Sequence, residues 1–159
     1  MKKTICMLLT IILALALAGC GAGAGGGTGD TDKADGGRQT ASAYLDQDGI
    51  CIEVTADLTG GWSVEFARGA AYLYDGEITE DKESTAMLIT LDKDVYEEDM
   101  DEAMADDNHK EADGGVYYTG SGNEGSYLTS LNDSAYVLIT APDQASMEDI
   151  VARFTLALD

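Results

Sequence analysis

Hydrophobic and polar positions divide the chain into three stretches with different rhythms. Residues 5–19, ICMLLTIILALALAG, form an uncharged, mostly apolar run. Residues 21–43, GAGAGGGTGDTDKADGGRQTASA, hold no aromatic and no large aliphatic side chain. From Tyr44 onward the apolar positions recur at definite spacings, and those spacings predict elements. Ile50, Ile52 and Val54 alternate with Cys51, Glu53 and Thr55, the period of a half-buried strand. Trp62, Val64 and Phe66 repeat the alternation after Gly60-Gly61, opposed by Ser63, Glu65 and Ala67. AAYLYDGE, residues 70–77, predicts another short strand with a turn at Asp75-Gly76. TAMLITLD, residues 85–92, is almost continuously apolar and reads as a central strand.

A change of period follows. Tyr96, Met100, Ala103 and Met104 recur at helical spacing within residues 94–108, and Asp94 with Glu97 has a capping-box arrangement. Three more strands are expected at Val116–Thr119, Ser126–Leu131 and Ala135–Thr140, with turns at Gly122-Asn123 and Asn132-Asp133. Pro142, the single proline, ends the last of them. A second helix is expected from Ser146, with Met147, Ile150, Val151, Phe154, Ala157 and Leu158 on one stripe. Strands joined by tight turns pair antiparallel. The expectation is therefore one α+β domain over residues 44–159, mainly antiparallel sheet with two amphipathic helices packed on it. Residues 20–43 are expected to be a flexible tether, because nothing in them can bury a core.

The first twenty residues carry the most specific signal. Lys2 and Lys3 give a basic start, and the apolar run that follows is shorter than the roughly twenty residues a membrane-spanning helix needs. Basic start, short apolar run and small residues at its end are the marks of a secretory signal. Leu17-Ala18-Gly19-Cys20 resembles the lipobox of bacterial lipoproteins. That resemblance implies diacylglycerol on the Cys20 sulfur and a signal peptidase that recognises Leu17, Ala18 and Gly19. Residues 1–19 would be removed and Cys20 would become the first residue. It implies a protein whose membrane partner is reached through lipid, on the outer face of the cytoplasmic membrane. Two or more acyl chains suffice for stable attachment. The order of elements, with Gly61-Trp62 opening a strand, also resembles the Mog1/PsbP-like family, which implies an α/β/α sandwich.

Charge narrows the partners. Nine Lys and Arg stand against thirty Asp and Glu, a formal net charge of −21. A surface so negative repels phosphate backbones, which excludes nucleic acid, and gains nothing from an anionic membrane surface. Of the three cysteines, Cys6 lies in the leader and Cys20 in the lipobox. Cys51 is thus expected as a half-buried thiol, with no intrachain disulfide. His109 is the only histidine and follows Asp106 and Asp107 at the expected helix end, where a local electrostatic role suits it. The sequence offers no metal-ligating set, no nucleophile with a base beside it, and no cofactor motif. Asp30, Asp32 and Asp35 before Gly36 miss the spacing of a calcium loop. Two weaker candidates remain. Glu97 and Asp101 stand one helical turn apart and would make a weak divalent-cation surface. Tyr117, Tyr118 and Tyr127 sit on adjacent expected strands and would line a face for a peptide, protein or glycan ligand. The functional expectation is a non-catalytic binding or accessory module. The alternatives are an extracytoplasmic hydrolase and a small solute-binding component of a transport system. A deep pocket lined by tyrosines and acids favours binding, and Cys51 beside His109 favours an enzyme.

Overall fold

The computed structural model describes residues 33–34 and 38–159, apart from 48, 68, 113, 121 and 133. The period-two segments form strands. In chain order they are β1 (Lys33–Ala34), β2 (Arg38–Gln47), β3 (Ile50–Asp57), β4 (Trp62–Ala67), β5 (Ala70–Asp75) and β6 (Ala86–Leu91). Helix α1 (Lys93–Ala105) follows, then β7 (Lys110–Ala112), β8 (Gly115–Thr119), β9 (Gly125–Ser130) and β10 (Tyr136–Ala141). A 3-10 turn (Gln144–Ser146) leads into the short α2 (Met147–Val151), and β11 (Phe154–Leu158) closes the domain.

The strands make two antiparallel sheets. The smaller has the order β1-β2-β3-β11 and the larger β4-β5-β6-β10-β9-β8-β7. They pack face to face. Ala41, Leu45, Ile52, Val54 and Ala56 of the smaller sheet share one buried cluster with Leu73, Leu88, Tyr127, Val137 and Ile139 of the larger. The larger sheet also buries its other face. Leu91, Val116, Tyr118, Leu128 and Tyr136 form a second cluster there with Ala103 of α1, and Tyr96 and Met100 pack against it. Pleating explains how one strand feeds both layers: Tyr127 and Leu128 are consecutive, so their side chains leave β9 on opposite faces. The layers are thus sheet, sheet and helix, not the helix–sheet–helix of an α/β/α sandwich. One buried polar bond ties the first two. The Tyr136 amide of β10 donates to Gln47 Oε1 of β2 at 3.1 Å, and Gln47 is almost wholly buried.

Four expectations change. β2 begins at Arg38, inside the segment read as tether, and it pairs with β3 from Thr40↔Asp57 to Gln47↔Ile50. Its inward side chains include small Ala41 and Ala43, so the alternation carries little hydrophobic contrast, and pairing to β3 holds the strand. The final helix stops at Val151, and the segment expected as its second half is β11, paired with β3 from Phe154↔Ala56 to Leu158↔Ile52. Phe154 and Leu158 fit a helical stripe, but Phe154, Leu156 and Leu158 fit period two equally well. β7, only three residues long, lies in a stretch not expected to pair. The cap of α1 is Asp92 rather than Asp94, with no side-chain cap bond, and Met104 is exposed while Ala103 is fully buried. Among the described residues no helix is long and apolar enough to cross a membrane.

Candidate functional site

The larger sheet is wider than the smaller one, and the difference leaves a cleft. Beyond the β11 edge, the inner faces of β8 and β9 are covered by the 3-10 turn and α2 rather than by a further strand, and Tyr117 and Tyr127 are buried there with Met147 and Ile150. The resulting cavity of about 410 Å³ is walled by Tyr117, Tyr127, Thr129 and Ile139 from the larger sheet, by Phe154 and Leu156 of β11, and by Glu148, Val151 and Ala152 of α2. Each wall follows from local sequence. Tyr117 and Tyr127 face each other across the β8–β9 pair, the register putting them directly opposite. Their ring centroids are 4.6 Å apart with planes inclined by 47°, a tilted aromatic pair of the kind cross-strand register favours. Thr129 lies two residues from Tyr127 and so on the same face, where its hydroxyl donates to the Gly114 carbonyl at 3.0 Å. α2 forms the floor because Met147 and Ile150 are buried, which turns Glu148 and Val151 toward the cleft.

The mouth of the cleft carries its only charges among these residues. Lys110 of the edge strand β7 is ion-paired with Glu148 of α2, and its Nζ lies 5.8 Å from the centre of the Tyr117 ring. Both members are more than half exposed, so the pair contributes little stability. It links two elements far apart in sequence across the opening. Behind it, the Thr119 hydroxyl donates to Gln144 Oε1 at 2.8 Å, fixing the end of β8 to the 3-10 turn.

The five residues proposed from sequence are not brought together. Tyr117 and Tyr127 line the cleft. Tyr118 points to the other face of the sheet, under α1, because it is adjacent in sequence to Tyr117. Burial there pushes its phenol up to about 12, with the Asp99 charge adding to the effect. Glu97 and Asp101 are exposed on α1, on that same far side, and Glu97 is paired with Lys93 at 3.5 Å. The tyrosine face is therefore two tyrosines, separated by a whole sheet from the acidic helix. Among the described residues no three His, Cys, Asp or Glu side chains converge as a metal site would require. Leu17, Ala18, Gly19 and Cys20 lie outside the described residues.

His109 and Cys51 are in different layers. His109 follows α1, and its Nδ1 lies 2.7 Å from the Asp106 carbonyl oxygen. Asp106 itself is a staple: Oδ2 accepts the Thr119 amide at 2.8 Å and Oδ1 the Asn108 amide at 2.9 Å. These donors, Thr119 first, hold its carboxyl below the usual aspartate range. Cys51 is half-buried on β3, on the face opposite Ile52, and it is disulfide-bonded. Its partner lies outside the described residues. The expected thiol is thus corrected: a sulfur on the outer face of an exposed sheet can be reached, and the chain holds two other cysteines, Cys6 and Cys20.

Sequence reasoning missed Glu148, Thr129, Ile139, Phe154 and Leu156 as walls of one site, and Lys110 as the ion-pair partner of Glu148. The signal for Phe154 and Leu156 was present, since they alternate with Thr155 and Ala157. Lys110 and Glu148 are 38 positions apart, and no local pattern joins them. Neither a scan of family models nor searches of curated proteins and of solved structures finds a match to this chain.

Proposed function

We propose that the chain is a bacterial lipoprotein, acylated at Cys20 and held on the outer face of the cytoplasmic membrane, whose acidic domain is a non-catalytic binding module. The anchor rests on Leu17-Ala18-Gly19-Cys20 standing behind a basic start and a short uncharged run. The observation that carries the binding role is the cleft. At about 410 Å³ it falls within the size range of small-ligand sites. Its walls are mostly aliphatic and aromatic, with Thr129 and Glu148 among them, so it offers apolar burial with a few polar groups. The one carboxylate among its lining residues, Glu148, is ion-paired with Lys110.

Labelling in the cell with an alkyne-tagged fatty acid tests the anchor. Wild-type protein is expected to take up label and Cys20→Ala to take up none; equal uptake refutes the reading. Cys51 makes the test sharper. One sulfur cannot hold both a thioether and a disulfide, and Cys6 leaves with residues 1–19, so on this reading the intrachain disulfide at Cys51 belongs to the unprocessed chain and is absent from the mature, acylated one. Peptide mapping of protein purified from membranes is expected to give an acylated peptide beginning at Cys20. A disulfide-linked peptide containing Cys20 and Cys51 would overturn acylation at that site.

A further inference from the structure

Resting on the reading of the cleft as a binding site, we infer that its ligand is an extended, cationic polypeptide segment that adds as a fifth strand to β11. The hydrogen-bond alternation of the β3–β11 pair shows what the edge offers. The Asp57 amide donates to the Arg153 carbonyl at 2.7 Å, and the Asp159 amide donates to the Cys51 carbonyl at 3.2 Å. In an antiparallel pair the bonded positions alternate. Thr155 and Ala157 therefore bond to β3, and Phe154, Leu156 and Leu158 turn their N–H and C=O groups away from it. Among the described residues β11 is the outermost strand on that side of the smaller sheet.

Proteins usually guard such edges with charge, proline, a bulge or brevity. The other outer strands follow that rule. β4 carries Glu65, β7 has three residues including Lys110 and Glu111, and β1 has two residues. β11 reads FTLAL, with no charge and no proline. The cleft lies against this unguarded edge. Phe154 and Leu156 form one wall, and Tyr117 and Tyr127 of the larger sheet lie beyond them. A strand hydrogen-bonded to β11 would send alternate side chains into the cleft and the others toward solvent.

Charge selects the occupant. The chain carries a net −21, and Asp149 and Asp159 are exposed near the same edge. The nearby cations are engaged. Lys110 is paired with Glu148. Arg153 lies 4.2 Å from the centre of the Trp62 ring and donates to the carbonyls of Asp57 and Thr59. A second copy would bring an equally negative surface to the edge. The chain's own residues 21–32 hold no apolar side chain larger than alanine. A segment with apolar residues at alternate positions and Lys or Arg between them matches both the cleft and the field around it.

The test uses the mature chain in detergent, in buffer of physiological ionic strength, and a fluorescent eleven-residue peptide of alternating Val and Lys. A second peptide has the same sequence with N-methyl groups on the backbone amides that would pair, which preserves its charge and side chains. Fluorescence anisotropy is expected to show the N-methylated peptide binding at least tenfold more weakly. Leu156→Pro removes one outward N–H without touching a β3 bond, and proline is tolerated at a strand edge. It is expected to weaken the parent peptide at least tenfold, and Leu156→Ala by less, which separates the backbone from the side chain. Equal binding of the two peptides, with Tyr117 and Tyr127 signals perturbed, overturns strand addition but leaves the cleft a binding site. Binding of neither peptide overturns the cationic partner. So does a concentration-dependent dimer of the chain that Leu156→Pro abolishes, since the occupant is then a second copy. Should Leu156→Pro fail to fold, the peptide comparison alone decides.

Discussion

Ala103→Leu tests the middle of the domain most directly. Residues 103 and 104 both fit the apolar stripe of α1, yet Ala103 is fully buried and Met104 is 48% exposed. Ala103 belongs to one buried cluster with Leu91, Val116, Tyr118, Leu128 and Tyr136, and Tyr136 is itself stacked on Tyr96 with centroids 4.4 Å apart. Leucine adds three carbons to that cluster. The helix preference of leucine is close to that of alanine, so the change acts through packing. Overpacking a filled core costs about 1–3 kcal/mol, and a cluster fixed by a stacked aromatic pair argues for the middle of the range, about 2 kcal/mol. With a urea slope of about 2 kcal/mol per molar, the unfolding midpoint falls by about 1 M. Met104→Ala, on the solvent side, is expected to change stability by no more than about 0.5 kcal/mol. Urea titration followed by circular dichroism reads both. An unchanged or raised midpoint for Ala103→Leu, at constant slope, would refute the burial of this face of α1 against the sheet.

Two further predictions concern the joints. The Asp106 carboxylate is held below the ordinary 3.8 by the Thr119 and Asn108 amides; its contribution is complete above that ordinary value and disappears as pH falls through the lower folded value. The stability gap between wild type and Asp106→Ala should thus stay constant from about pH 8 to pH 5 and close only below about pH 4, and a gap already closed at pH 5 contradicts the staple. Gly125 opens β9 where a Cβ would sit 2.4 Å from the Asp143 carbonyl oxygen and 2.5 Å from Met147 Cγ. Gly125→Ala is expected to lose about 2 kcal/mol or more in the same urea assay. Gly122→Ala, where the nearest obstacle is the mobile carboxylate of Glu124, should lose much less, and equal losses would refute the close approach.

Much of the domain was legible along the chain. The alternations of Ile50 to Thr55 and Trp62 to Ala67 became β3 and β4, and Gly60-Gly61 became a turn with φ of 92° and 88°, where glycine meets no steric penalty. The strands at 115–119, 125–130 and 136–141 lie within a residue of their expected ends. Local periodicity carries that information because it states which side chains share a face.

It does not state what the face meets. Tyr117, Tyr118 and Tyr127 looked like one surface until pleating sent Tyr118 under α1 and left the other two at a cleft. Five residues, FTLAL, satisfy a helical stripe and a strand at once, and β3 resolved the matter by supplying bonded partners along its open edge. β2 hid behind alanines for the same reason, since its conformation is held by pairing rather than by hydrophobic contrast. Side-chain spacing fixes a face, whereas the neighbour that covers it comes from residues distant in the chain. The cleft exists because the smaller sheet ends at β11 while the larger continues to β7, and no window of sequence contains both edges.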